Sequence, residues 1–237
     1  MITELRDILF LDIETVAITN NYQSLDERLK VQWSRKASYF KKEEEKSDEA
    51  LFHEKAGIYA EFGKIICISI GKFFDHESGE LGLKTKAFYG HEEVALLAEF
   101  KTMLEKLGEG VKLCAHNGKE FDFPYLCRRM LINGIALPSA LNLSGKKSWQ
   151  VEHLDTLELW KFGDYKHYTS LDLLASIFNI PSSKSDIDGS KVNSVYYESG
   201  DLDKIKNYCT ADVNVLAQLF LKMKCLPSLK AENVITT

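Results

Sequence analysis

Residues Ile8, Leu9, Phe10 and Leu11 form an unbroken apolar run that is then interrupted by Asp12 and Glu14. Such a run, rich in branched and aromatic side chains, predicts a strand covered on both faces. Side chains alternate across a strand, so Asp12 and Glu14 point to the same side of the sheet. Two unpaired carboxylates at the end of a core strand are costly unless positive charge is held beside them. A divalent metal with oxygen ligands meets that need. A strand that reaches solvent at residue 12 and turns polar satisfies the same pattern, so the rest of the chain has to decide.

With 237 residues the chain can bury a full core, and 45% of its residues are apolar. A formal net charge of −5 argues against a broad basic face that grips duplex DNA. It leaves room for an enzyme that holds a few nucleotides through metals and local lysines. The five cysteines, at 67, 114, 127, 209 and 225, include no C-x-x-C and sit mostly in apolar stretches. They read as buried free thiols in a reducing compartment. The N-terminus lacks the basic and apolar regions of a signal peptide, and no stretch has the length of a membrane span. The expected location is the cytoplasm, with no membrane partner.

The spacing predicts a single α/β domain over about 1–226, in which strands and helices alternate, followed by a loose tail at 227–237. A polar stretch at about 17–60 reads as a helical insertion with a solvated face. It includes the charge run at 41–46 and scattered anchors such as Trp33 and Phe52. Lys64 to Gly71 is a second strand, joined by a hairpin to a third at Leu83 to Tyr89. An amphipathic helix follows from His91 to Leu107, then a short buried strand from Val111 to Ala115. Asn117-Gly118 breaks that strand, and Asp122 stands at the start of a helical run with Pro124 in its first turn. By itself Asp122 reads as an N-terminal cap, worth about 1 kcal/mol. Val151 to Thr156 is a fifth strand carrying Asp155, which reads as structural. Ser170 caps a helix that ends near Pro181, residues 182–195 form a loop, and the last major helix runs from about Asp201 to Lys224.

Two familiar signatures are missing: no G-x-G-x-x-G follows a strand, and no H-E-x-x-H occurs. The segment around Gly145-Lys146-Lys147 fails as a phosphate loop, because Ala140 replaces the first glycine and Lys147 the Ser or Thr. What stands out is an ordered set of acids. Asp12-x-Glu14 is followed by Asn117-x-x-x-Phe121-Asp122, and then by Tyr208-x-x-x-Asp212, whose last two partners lie one helical turn apart. His167 to Asp172 offers a rival for the third motif. There, however, His167 and Tyr168 precede the helix that Asp172 begins, whereas Tyr208 and Asp212 share one helix.

That ordered set resembles the DEDD superfamily of 3′→5′ exonucleases, in its tyrosine branch. It is most similar to the proofreading domain of family-B DNA polymerases and to stand-alone bacterial relatives of that domain. Glu61 to Ser69, Leu126 to Arg129 and Ser185 to Ser190 add to the likeness, which spans nearly the whole chain. The resemblance implies an RNase H-like fold, a mixed five-stranded sheet flanked by helices, whose first three strands form a meander. It implies a metal-dependent exonuclease that acts on the 3′ end of single-stranded DNA and releases nucleoside 5′-monophosphates. Two Mg²⁺ or Mn²⁺ ions would serve it, with Asp12, Glu14, Asp122 and Asp212 as ligands and Asp12 bridging. Tyr208 would orient the attacking water, while Thr15, Asn117 and Phe121 would contact the terminal nucleotide. Phe121 and Tyr165 offer surfaces for base stacking; Lys161, Lys166 and His167 read as ordinary surface. Trimming of RNA 3′ ends and an inactive nucleic-acid-binding module are the alternatives, and a polymerase or repair partner is not resolved by sequence.

Overall fold

The structure, a computed structural model, describes residues 5–40, 45–77, 79–108, 110–164, 168–183 and 187–237. Part of the charge run (41–44), Tyr165, Lys166, His167 and the loop positions Lys184, Ser185 and Asp186 lie outside the described residues.

The first apolar run forms β1 (Ile8–Ala17). It pairs antiparallel with β2 (Gly63–Asp75), which pairs antiparallel with β3 (Leu81–Tyr89), so the expected meander is present. On the other side β1 pairs parallel with β4 (Lys112–Ala115), and β4 with the two-residue β5 (Leu154–Asp155). A sixth strand, β6 (Val234–Thr236), joins β3 in parallel, giving the order β5-β4-β1-β2-β3-β6. The segment beyond Pro227 is therefore not loose, and the sheet has one strand more than the sequence implied. The added strand is three residues long, mostly exposed and polar at its end, so it carries no periodic signal of its own.

Between β1 and β2 the chain builds α1 (Glu27–Phe40) and α2 (Asp48–Lys55), a helical pair closed over Trp33, Phe52 and Phe62. The Trp33 indole N–H donates to the Asp48 carbonyl at 2.8 Å, so a buried polar group is satisfied where the two helices meet. A run of helical turns over 189–199, where the sequence suggested a loop, fastens this insertion to the sheet. Asn193 accepts from the Ala17 N–H and donates to the His53 carbonyl, and the Tyr197 hydroxyl donates to the Ala17 carbonyl.

The two faces of the sheet are covered by different helices, and the alternation along β1 assigns them. Leu9, Leu11 and Ile13 face α3 (Glu93–Leu107) and α4 (Asp122–Ile132), in a core with Leu97, Phe100 and Phe123. Ile8 and Phe10 face the long α7 (Leu202–Met223), against Val213, Leu216 and Phe220. Two short helices, α5 (Thr156–Lys161) and α6 (Leu171–Ile177), complete that side, and Ser170 caps α6 by accepting from the Leu173 N–H. Gly71 sits where α7 comes closest: a Cβ there would lie 2.7 Å from Val213 Cγ1. Only glycine lets the helix approach the sheet so tightly. On the opposite face, a buried pair joins α4 to α3, with Arg129 Nε and Nη2 donating to the two Glu93 oxygens at 2.9 and 2.6 Å. Glu93 also accepts from the Ile65 N–H, and Arg129 donates to the Ala60 carbonyl, so both charges are satisfied. Among the described residues no helix is long and apolar enough to cross a membrane.

Candidate active site

Asp12 and Glu14 continue the even-numbered side of β1 and so point toward α7, where Tyr208, Cys209 and Asp212 approach. A register shift between Glu14 and Thr15 interrupts the β1–β2 ladder at this point. Such an irregularity re-aims side chains at a strand end. Asp122 begins α4, just after the turn that follows β4. Asp212 accepts from the Ser183 hydroxyl, and the Tyr208 phenol stands close enough to feel its charge.

The four acids crowd one another. Glu14, Asp122 and Asp212 are each less than a tenth exposed. Burial, followed by the charges of Asp212, Glu14 and Asp122, pushes the Asp12 carboxyl well above the ordinary carboxylate range. Glu14 is raised in the same direction by burial, then by Asp212, Cys67 and Asp122. Asp122 is pushed up to about 7, chiefly by burial and despite the hydrogen bonds it accepts. Among the described residues, none of these three acids forms an ion pair with a lysine or arginine. Hard oxygen donors that repel one another in this way fit a divalent metal. Ligand atoms of Asp12, Glu14 and Cys209 all lie within 4.8 Å of one another.

Burial first, then Asp212, Glu14 and Asp12, raises the Tyr208 phenol far above its ordinary value, so it is a neutral donor. Asn207, one residue earlier, is exposed.

The three residues expected to touch a nucleotide sit around this cluster. Asn117 is half-buried and adopts a left-handed backbone (φ 64°), as the break after β4 requires. Phe121 packs partly on the core, its ring 5.3 Å from that of Tyr125. Thr15 is partly exposed at the end of β1, and nearby the Tyr125 hydroxyl donates to the Gly57 carbonyl at 2.7 Å. Asp155 is structural, as its strand position suggested. It accepts from the Asn117 and Lys119 N–H groups at 2.9 and 3.0 Å, and from Leu157 and Glu158 at the start of α5. One carboxylate therefore caps a helix and holds the loop that leads to Asp122.

Three neighbours of the site were not foreseen. Tyr168 was weighed only as a rival to Tyr208, yet it lies beside the same acids. It is 64% exposed, and after burial the charges of Asp122, Asp155, Asp12 and Asp212 raise its phenol. His116 fixes this approach: its Nε2–H donates to the Thr169 carbonyl at 2.8 Å, and its ring lies 6.2 Å from that of Tyr168. Ser183 reaches Asp212 from the loop after α6, and Cys209 lies under Asp12. The sequence signal for Cys209 was its place next to Tyr208, on the inner stripe of the last helix. Ser183 had none.

Comparison with known proteins speaks to the family and the fold. The family described as predicted 3′-5′ exonuclease related to the exonuclease domain of PolB matches residues 58–233, well over half of the chain. The match includes Asp122, Tyr208 and Asp212 and begins after Asp12 and Glu14. The chain is also similar in structure to the family B DNA polymerase from the hyperthermophilic archaeon Pyrobaculum calidifontis, with a TM-score of 0.54 at 13% identity. That likeness covers 91% of this chain and 24% of the polymerase, and it speaks to the RNase H-like fold. No curated protein sequence matches the chain.

Proposed function

The chain belongs to the family of predicted 3′-5′ exonucleases related to the exonuclease domain of PolB, and on that premise we propose that it removes nucleotides from the 3′ end of single-stranded DNA as nucleoside 5′-monophosphates. The observation that carries this reading is the convergence of Asp12, Glu14, Asp122 and Asp212, from three separate elements, with Tyr208 beside them. That set supports a place in the tyrosine branch of the DEDD superfamily.

The donor set suits two Mg²⁺ or Mn²⁺ ions. Asp12, Glu14, Asp122 and Asp212 would hold them. When bound, the ions supply charge against the phosphate, a more acidic water and support for the leaving 3′ oxygen.

The rest is done by this chain's own groups. Tyr208 stays protonated beside Asp212, so it would orient the water rather than take its proton. Tyr168 presents an exposed ring beside the acids, suited to stacking on the terminal base without regard to sequence. Thr15, Asn117 and Phe121 flank the same place and would steady the terminal nucleotide. Asp155 acts at a remove, holding the 117–119 main chain. A duplex end would have to fray before its last bond reached acids this buried, which favours single strands.

Digestion of 5′-labelled DNA and RNA single strands, with free or blocked 3′ ends, tests the reading. Stepwise shortening of unblocked DNA in Mg²⁺ or Mn²⁺ is expected. Cleavage of blocked strands to the same extent would overturn the exonuclease reading. Preference for RNA would move the substrate to RNA 3′ ends.

A further inference from the structure

Cys209 is fully buried beneath the acid cluster, one residue past Tyr208. Its thiol donates to Asp12 Oδ2 at 3.3 Å and is 3.5 Å from the Asp12 main-chain oxygen. Among the described residues, no other side chain donates to the Asp12 carboxylate.

The surrounding groups account for the remaining protons. The Thr210 hydroxyl donates to the Lys206 carbonyl at 2.8 Å, so at 3.2 Å the Ser69 hydroxyl donates to Thr210. Cys67, paired with Glu14 in the β1–β2 register, lies 3.8 Å from Ser69 Oγ and donates there. These groups are engaged with one another, while the Cys209 thiol reaches Asp12. This network joins α7 to β1 and β2 directly under the acids.

We propose that Cys209 is a positioning residue that orients the Asp12 carboxylate for metal binding. An ionised carboxylate offers about four acceptor positions. The thiol takes one on Oδ2 and leaves the others for a metal ion. Sulfur is a weak donor, so it restrains the carboxylate without withdrawing much of its charge. Partners that orient a metal ligand in this way set affinity for the ion as well as its geometry. The inference rests on the metal-dependent reading above.

The test is a Mn²⁺ titration of the full chain, followed by calorimetry or by the resonance signal of free Mn²⁺, with melting temperatures of the metal-free proteins measured in parallel. Cys209→Ala and Cys209→Val remove the donor, the second while filling most of the space. Cys209→Ser keeps a donor. Both donor-less variants should bind Mn²⁺ roughly tenfold more weakly, the lower end for lost outer partners. The serine variant should stay close to wild type. A lower melting temperature with unchanged Mn²⁺ affinity in both donor-less variants would mean that Cys209 only fills space, and the inference would fail alone. Equal weakening in Cys209→Ser would also overturn it. Absence of Mn²⁺ binding by the wild type would remove the metal reading itself, and the inference with it.

Discussion

The Asp155 carboxylate, at the end of β5, accepts from the main-chain N–H groups of Asn117 and Lys119 at 2.9 and 3.0 Å. The turn that leads to Asp122 is therefore fastened to the neighbouring strand. Because β4 lies beside β1 in register, that turn delivers Asp122 to the end of β1 that carries Asp12 and Glu14.

Asp122→Asn tests what the carboxylate does at the place this attachment gives it. The amide is nearly isosteric and removes a buried charge, so the fold should persist. With one anionic ligand lost, nucleotide release should fall by roughly 100-fold or more. Measured steady-state rates at saturating Mg²⁺, with circular dichroism as the folding control, decide it. A rate within a few-fold of wild type would remove Asp122 from the metal site.

The acids also set a pH dependence for the metal-free protein. Asp12, Glu14 and Asp122 all have raised values in the folded state, so the folded chain binds more protons than the unfolded one. Their contribution to stability is complete below about pH 4, the unfolded carboxylate range. For Asp122 it is lost as pH rises through about 7. His116 and His153 act in the opposite sense: burial lowers both, so their contribution is lost as pH falls. The readout is therefore the difference in melting temperature between wild type and Asp122→Asn, with EDTA present. The variant should gain on wild type as pH rises from 4 to 8, and millimolar Mg²⁺ should close the gap by stabilising wild type.

Tyr208→Phe keeps the ring and removes the hydroxyl near Asp212. The expected result is a rate reduced roughly tenfold or more, with little change in Mn²⁺ affinity. Equal loss of Mn²⁺ affinity would show that the phenol acts by holding Asp212 instead of orienting water.

Gly71→Ala should destabilise the protein by about 1–3 kcal/mol, because the new methyl meets Val213 at a distance that packed atoms do not tolerate. Activity should fall too, since α7 carries Tyr208 and Asp212. Adding Val213→Ala opens space for the methyl and should restore part of both. Absence of such rescue in a chemical-denaturation series would count against the close approach of α7.

Much of this was legible before the structure. The apolar run from Ile8 to Leu11, the alternation of Asp12 and Glu14, the inner stripe of α7 and the Ser170 cap all follow from local chemistry. The three acidic motifs pointed to one site through their order. What was missed depends on contacts between distant segments. β6 is a strand only because β3 offers it an open edge. The 189–199 turns depend on Asn193 and Tyr197 finding the end of β1. Tyr168 reaches the acids because His116, across the α5–α6 connection, holds the neighbouring Thr169 carbonyl. Cys225, expected among the buried thiols, is exposed just past the end of α7. No periodicity encodes such meetings.

The central claim is that the acids drawn from β1, α4 and α7 form one metal-dependent 3′-end nuclease site. A single strand of DNA labelled at its 3′ end, incubated with wild type or Asp212→Ala in Mg²⁺ or Mn²⁺, with and without EDTA, tests it most directly. The account predicts immediate release of labelled mononucleotide by wild type, abolished by EDTA and absent from Asp212→Ala. Release that persists in EDTA, or that survives in the variant, would contradict it.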